Sequence, residues 1–299
     1  MTIQQKAYLA LTATCLIWGT TYMVNKIGVS HIHPVLFSAC RQILSGLSIL
    51  GYCFFYKKMP WPDASYLKFQ MFLGLVLISI GNGVGVLGLS YIDSGLAAIL
   101  AAFSPLIIAL LTTYLHPEDR LSSLGWTGVW IGFLGVYFIC SSKLDWNGIE
   151  FNSNLGILLT VLSVVAWGAG SVVSKTRSFH YAPIMTSGFQ MIFGSIPMIL
   201  YSVFFVDIND VSVNSEGLIS FFYVVIFGSI VAYSAYVYTL KHLPAIVAGI
   251  QSYINPIIAI ILGYFVLSEN VTADMLLGSV AVILGVFLVN YSQYRKGRS

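Results

Sequence analysis

Ten long stretches of apolar residues, nearly free of charge, set the terms for any fold this chain adopts. They are Ala7–Val24, Pro34–Tyr56, Phe69–Ser90, Gly95–Leu115, Leu124–Cys140, Leu155–Val173, Pro183–Val206, Leu218–Leu240, Ala245–Leu267 and Met275–Tyr291. Only 8% of the 299 residues are charged, against about 25% in a soluble globular chain, so the chain has too little charge to cover a water-facing surface. A bilayer removes that demand. A helix rises about 1.5 Å per residue, so about 20 apolar residues cross the hydrocarbon layer. The stretches are continuously apolar and do not alternate over about 10 residues, which selects helices over barrel strands. The expected fold class is all-α integral membrane, with ten transmembrane helices. The first stretch follows Lys6 but has no small-residue cleavage site in polar sequence behind it, so it reads as a retained helix. Cys15, Cys40, Cys53 and Cys140 fall inside apolar runs with no CxxC, and read as packing residues.

Orientation follows from the basic residues. With a cytoplasmic N-terminus, Lys6, Lys57, Lys58, Lys68, Arg120, Lys175, Arg177, Lys241, Arg295, Lys296 and Arg298 fall inside, and only Lys26 and Lys143 outside. Both termini are therefore expected on the cytoplasmic side of a plasma (inner) membrane. The chain also repeats itself. "WGTTYMVNK" from Trp18 returns as "WGAGSVVSK" from Trp167, 149 positions later. Pro34 and Pro183 open equivalent helices, "SPLIIALL" from Ser104 is echoed by "NPIIAIIL" from Asn255, and Gly128 and Gly135 return as Gly278 and Gly285. Five helices separate the copies, an odd number, so the second copy crosses the membrane in the opposite sense: two inverted five-helix repeats. The expected division is residues 1–142, a linker at 143–154, and 155–299 with a basic tail.

These features together resemble the EamA-type repeat of the drug/metabolite transporter superfamily. The residues that carry the resemblance are the Trp-Gly pairs, Pro105 and Pro256, and Glu118 and Glu269, each followed by a glycine-bearing helix. It covers nearly the whole chain. It implies ten helices and export of small metabolites, amino acids among them, and it names no substrate.

Arg41 is the one ionisable residue deep in an apolar run. Charge at that depth costs at least ~2.5 kcal/mol and usually faces a cavity or the bundle interior. It reads as a contact for an anionic group such as a substrate carboxylate, or as a side chain that holds helix-end carbonyls or snorkels outward. Its repeat mate is Gln190. Trp18 and Trp167 either stack on a substrate or pack beside Gly19 and Gly168. Tyr22, Asn25, Ser171 and Ser174 make one side of their helices polar and are expected to point inward. Asn82 is a site residue or an interhelical bond. Gly83, Gly85 and Gly88 match GxGxxG, but they lie inside an apolar span without the βαβ context of a dinucleotide site. Gly83 and Gly85 read instead as close-approach or hinge positions, and Pro105 and Pro256 as kinks or hinges. Ser104, Gln251, Tyr253 and Asn255 cluster around those prolines as a candidate cavity wall, and Tyr233 is the deepest tyrosine of its helix. Glu118 and Glu269, ahead of the N-cap candidates Ser122 and Thr272, are expected to organise turns.

No Asp, Glu or His lies mid-helix, so a facilitator, an exchanger or coupling through some other group is expected over a carrier with a buried carboxylate relay. The competing class is a membrane-embedded enzyme acting on lipid or acyl substrates. The chain offers no HExxH, no GxSxG and no carboxylates beside His, and His31 and His33 alone make a poor metal site. A receptor or scaffold has no need of an inverted repeat. The expectation is a transporter with no cofactor, no metal and no nucleic-acid partner, whose partners are a small-molecule substrate and the lipid bilayer.

Overall fold

The computed structural model describes residues 1–115, 121–143, 151–207, 214–249 and 251–296. Among the described residues every regular element is helical. In chain order the helices are α1 (Ile3–Val29), α2 (Pro34–Tyr56), α3 (Ala64–Tyr91), α4 (Ser94–Tyr114), α5 (Ser123–Lys143), α6 (Phe151–Val173), α7 (Pro183–Phe205), α8 (Ser215–His242), α9 (Ala245–Ala248), α10 (Gln251–Leu267) and α11 (Ala273–Lys296). Seven of them are long and apolar enough to cross a membrane: α1 to α4, α6, α7 and α8. Three shorter apolar helices cover Ser123–Phe138, Ile254–Leu267 and Ala273–Val289. The sequence run Ala245–Leu267 is split into α9 and α10, with Ile250 outside the described residues.

Local chemistry places the helix starts. Thr2 and Gln5 form a reciprocal capping box at α1, with bonds of 2.9 and 3.2 Å. Pro34 opens α2, where a missing N–H is harmless. Asp63 caps α3 by accepting the Tyr66 N–H at 2.8 Å, and Asn214 caps α8 through the Gly217 N–H at 2.8 Å. Ser122 and Thr272 serve α5 and α11 in the same way.

The outer surface is apolar. Leu47, Phe55, Phe204, Phe265 and Leu277 stand exposed, as lipid-facing residues should. Buried polar residues gather inside, among them Asn25, Arg41, Gln42, Gln70, Gln190, Gln251 and Asn255. Small residues allow the helices to meet closely, because lipid offers no hydrophobic drive to press them together. α2 packs along α7, and α5 along α11. At the second seam a Cβ on Gly285 would lie 2.5 Å from the Gly128 carbonyl oxygen and 2.6 Å from the Gly132 nitrogen. α1 lies against α8 and α10, while α6 lies against α3 and α4. α3 and α8 each contain π-helical turns, over Gly74–Val84 and Val224–Val231. Such turns are rare and displace the side chains beyond them from the ordinary helical face.

Candidate functional site

Helices α1 to α4, α6, α8 and α10 surround a cavity of about 150 Å³. Its polar centre is Arg41, which is 3% exposed. The guanidinium donates from Nη1 to Asn25 Oδ1 at 2.8 Å and from Nη2 to Asn82 Oδ1. Asn82 Oδ1 also accepts from Ser38 Oγ and Gln42 Nε2, each at 3.1 Å. One amide oxygen thus serves three side chains, so the cluster is rich in donors and short of acceptors. Arg41 Nε, Gln42 Oε1 and Gln251 Oε1 are buried and make no hydrogen bond among the described residues. No Asp or Glu lines this cavity among the described residues.

An aromatic wall closes one side. Trp18 and Trp167 meet edge to face with centroids 5.4 Å apart, and Tyr236 packs against both, at 5.1 and 5.2 Å. The Trp18 indole N–H donates to the Gly228 carbonyl, in the π-helical part of α8, at 2.9 Å. The Tyr233 hydroxyl donates to Gln190 Oε1 at 2.6 Å, and Gln190 Nε2 donates to Gln70 Oε1 at 2.8 Å. Beyond the wall lies a second cavity of about 190 Å³, lined by Gln70, Gln190 and Tyr236 together with Lys175, Arg177 and Lys241. Among the described residues, the charged groups of its lining are all basic.

Prolines shape the remaining wall. α4 tightens at Ala102 and Phe103 just before Ser104 and Pro105, with i to i+3 bonds of 3.1 Å from each of their N–H groups. Ser104 and Ser252 join α4 to α10 through their hydroxyls at 3.0 Å. Asn255, with its amide nitrogen turned inward, donates to the Cys15 carbonyl at 3.0 Å and the Gln251 carbonyl at 3.1 Å. Pro256 then leaves the helix one backbone donor short at the cavity edge.

Of the residues singled out in the sequence, Trp18, Tyr22, Arg41, Asn82, Ser104, Trp167, Tyr233, Gln251 and Asn255 line the first cavity. Ser171 is buried but lies behind the wall, bonded to the Tyr236 hydroxyl at 2.7 Å. The Tyr253 side chain and Glu118 lie outside the described residues. Gly85 borders the cavity against Ser163, and Gly83 sits against Met198. Sequence reasoning passed over Gln42, Gln70 and Tyr236. The two glutamines carried the signal used for Asn82, an amide inside an apolar run. Tyr236 was set aside because Tyr233 is the deeper tyrosine of the same helix.

Both lysines of the repeated Trp-Gly stretches hold helix ends. Lys26 Nζ donates to the carbonyls of Leu89, Ser90 and Ile92 at 3.0, 3.3 and 2.7 Å, at the end of α3. Lys175 Nζ donates to the Leu243 carbonyl at 2.5 Å, just past α8. Burial pushes the Lys175 ammonium below the usual lysine range. Glu269 departs from the expected local role. Its carboxylate reaches across to the start of α4, accepting from Ser94 N, Ser94 Oγ and Gly95 N at 2.8, 2.8 and 3.1 Å.

The profile of the EamA-like transporter family matches residues 5–141 and again residues 154–291. Among relatives, the chain is similar to the uncharacterized inner membrane transporter YedA of Escherichia coli K12. They are 26% identical over 286 residues, covering 95% of this chain and 90% of that protein. It is similar to the uncharacterized transporter YoaV of Bacillus subtilis, at 21% identity over 291 residues, 97% of this chain and 99% of the other. A chloroplastic WAT1-related protein of Arabidopsis thaliana, At3g02690, is 26% identical over 92% of this chain and 67% of its own length. One solved crystal structure superposes with a TM-score of 0.68 at 16% identity, covering 97% and 98% of the two chains, a likeness of fold.

Proposed function

The chain belongs to the EamA-like transporter family, and on that footing we propose that it exports small metabolites, amino acids among them, by alternating access across a plasma (inner) membrane. The observation that carries this reading is the pair of cavities on either side of one aromatic wall. A carrier needs a central site reached from one face at a time, and a wall whose contacts exchange between two arrangements supplies the barrier.

The reading takes ten spans in two inverted halves, with both termini cytoplasmic. Seven spanning helices and three shorter apolar ones support that count. The packing supports the inversion: α2 meets α7 and α5 meets α11, while the contacts of α1 with α8 and α10 are matched by those of α6 with α3 and α4. Polar pairs repeat as well. Arg41 bonds Asn82, and at repeat-related positions Gln190 bonds Tyr233. Lys26 and Lys175 hold repeat-related helix ends, one at each face. In this scheme one half rocks against the other, and the wall of Trp18, Trp167, Tyr233 and Tyr236 opens toward the basic cavity.

Transport by purified protein in lipid vesicles tests the proposal. Flux of amino acids or other small metabolites is expected, and it should persist without an imposed pH gradient, because no carboxylate lines either cavity among the described residues. Absence of flux for every small metabolite tried overturns the transporter reading. A strict requirement for the gradient overturns the uncoupled mechanism.

A further inference from the structure

The second cavity concentrates positive charge. Lys175 and Arg177, just past the end of α6, and Lys241, in the last turn of α8, line it, and among the described residues no acid does. Asp63 bonds two residues of that lining, but its oxygens already accept from the Tyr66 N–H and the Tyr181 hydroxyl, at 2.8 and 2.9 Å. The cations keep donors in reserve. Lys26, the repeat mate of Lys175, directs its ammonium at three carbonyls. Lys175 Nζ reaches one, that of Leu243, and Lys241 Nζ reaches one, that of Tyr181, at 2.8 Å. Arg177 makes no hydrogen bond among the described residues, and its guanidinium lies 5.6 Å from the centre of the Phe69 ring.

Two features deeper in the cavity add to this. Gln70 lines it and is only 2% exposed. Its Oε1 accepts from Gln190, while its amide nitrogen stays in contact with the cavity space and has no acceptor among the described residues. A buried amide with unpaired N–H groups is unfavourable, and an oxygen brought by a ligand relieves it. α7 begins at the same place, with Pro183 and Thr186 in the lining. Ala182, its N-cap residue, brings no side-chain acceptor. The uncapped start of a 23-residue helix carries partial positive charge and favours an anion.

A carboxylate brings two oxygens and a single charge, too little for three cations and an amide together. A zwitterion would set its own ammonium against the lysines. A phosphate group brings three strong acceptor oxygens and a charge of about −1.5 to −2 when it is a monoester. On the orientation that puts these helix ends at the cytoplasmic face, such groups are at hand in the headgroups of anionic phospholipids and in soluble phosphate esters. We propose that the second cavity binds a phosphate group, held by Lys175, Arg177, Lys241 and Gln70 Nε2 at the start of α7. So held, it ties the ends of α6 and α8 to α3, on the far side of the aromatic wall from the first cavity. The site is separate from the first cavity and does not depend on transport through it.

The test uses the full-length protein, purified in a nonionic detergent. Calorimetric titration compares phenyl phosphate with benzoate, and native mass spectrometry compares retention of phosphatidylglycerol with that of phosphatidylcholine. A soluble-ester site should bind phenyl phosphate roughly 10-fold or more tighter than benzoate, the low end for an added hydrogen bond to a charged group. A lipid site should retain phosphatidylglycerol over phosphatidylcholine. Either result supports the proposal and names the source of the phosphate. Binding should weaken as ionic strength rises. Arg177→Gln and Lys241→Gln should each weaken it roughly 10-fold, and Lys6→Gln, which removes an exposed cation on α1, should leave it unchanged. Should the cavity variants not fold, the two comparisons on the unaltered protein decide the matter. Phenyl phosphate bound no better than benzoate, with both lipids retained equally, overturns the proposal. So does a loss in Lys6→Gln as large as in the cavity variants, the mark of diffuse surface charge, or no loss in either folded cavity variant. No flux is measured, so failure here leaves the transporter reading intact.

Discussion

Removing the Glu269 carboxylate should loosen the protein by an amount the geometry sets. Its two oxygens accept three hydrogen bonds at the start of α4, two from backbone N–H groups and one from the Ser94 hydroxyl. Helix starts expose unpaired N–H groups and the positive end of the helix dipole, so a carboxylate there satisfies donors and complements charge. Losing such a cap costs about 0.5–2 kcal/mol, and a buried N–H left without an acceptor adds about 1–3 kcal/mol. Glu269→Ala should therefore destabilise by about 1.5–5 kcal/mol. Glu269→Gln keeps one good acceptor oxygen and should cost about 1–2 kcal/mol, most of it the lost charge. Ser94→Ala removes only the hydroxyl bond and should cost about 1 kcal/mol. At about 2–4 °C per kcal/mol for larger domains, Glu269→Ala should melt roughly 3–20 °C below the parent. The thiols give the readout. Cys15 and Cys53 are buried and free, so a fluorogenic thiol reagent reports their exposure on heating once Cys40 and Cys140 are changed to Ser. The reasoning fails if Glu269→Ala melts within 1 °C of the parent, or if Ser94→Ala costs as much as Glu269→Ala.

Gly285→Ala should destabilise by about 1–3 kcal/mol, because the new methyl meets backbone atoms that cannot rotate away; Gly51→Ala, with nothing within 4 Å of its Cβ, should be neutral or slightly stabilising in the same melts. Tyr233→Phe leaves Gln190 Oε1 without its donor and should cost about 0.6–1.7 kcal/mol in the membrane interior, read as a lower melting temperature. The Tyr66 N–H, and after it the Tyr181 hydroxyl, hold the Asp63 carboxyl below the usual carboxylate range. A depressed carboxylate stabilises above its unfolded pKa and loses that contribution as pH falls through its folded pKa. The melting difference between the parent and Asp63→Asn should thus be constant from pH 5 to 8 and shrink only below about pH 4; a difference that shrinks between pH 5 and 8 contradicts the assignment. If Trp167 contacts substrate, Trp167→Phe should weaken the quenching of intrinsic fluorescence by a transported compound, and unchanged quenching and transport in that variant remove Trp167 from the site.

What the sequence made legible was whatever the bilayer makes expensive. Arg41, Asn82, Gln251 and Asn255 stand out because a polar group in an apolar run needs a partner or a cavity, and the structure sets all four in one lining. The helices were legible for the same reason, since length and apolarity follow from membrane thickness. Pairings between distant segments were not. Nothing in the run around Arg41 indicates that Asn82 answers it, and nothing near Glu269 indicates that its acceptors serve Ser94 and Gly95. The π-helical turns were not legible either: they lie just before Tyr233 and Tyr236 in α8 and shift the rings beyond them from the ordinary helical face. Ser171 shows the limit from the other side: it was selected for its polarity, yet its hydroxyl folds back to the Trp167 carbonyl and meets the phenol of Tyr236, behind the wall.

The glycine seam between α5 and α11 joins a helix from the front of the chain to its last helix, and α2 with α7 makes a second such union. Cohesion between the two portions therefore does not depend on the peptide that connects them. A gene cut within codons 144–150 should still yield a folded, assembled protein when both fragments are made in one cell, each piece recognising the other by shape.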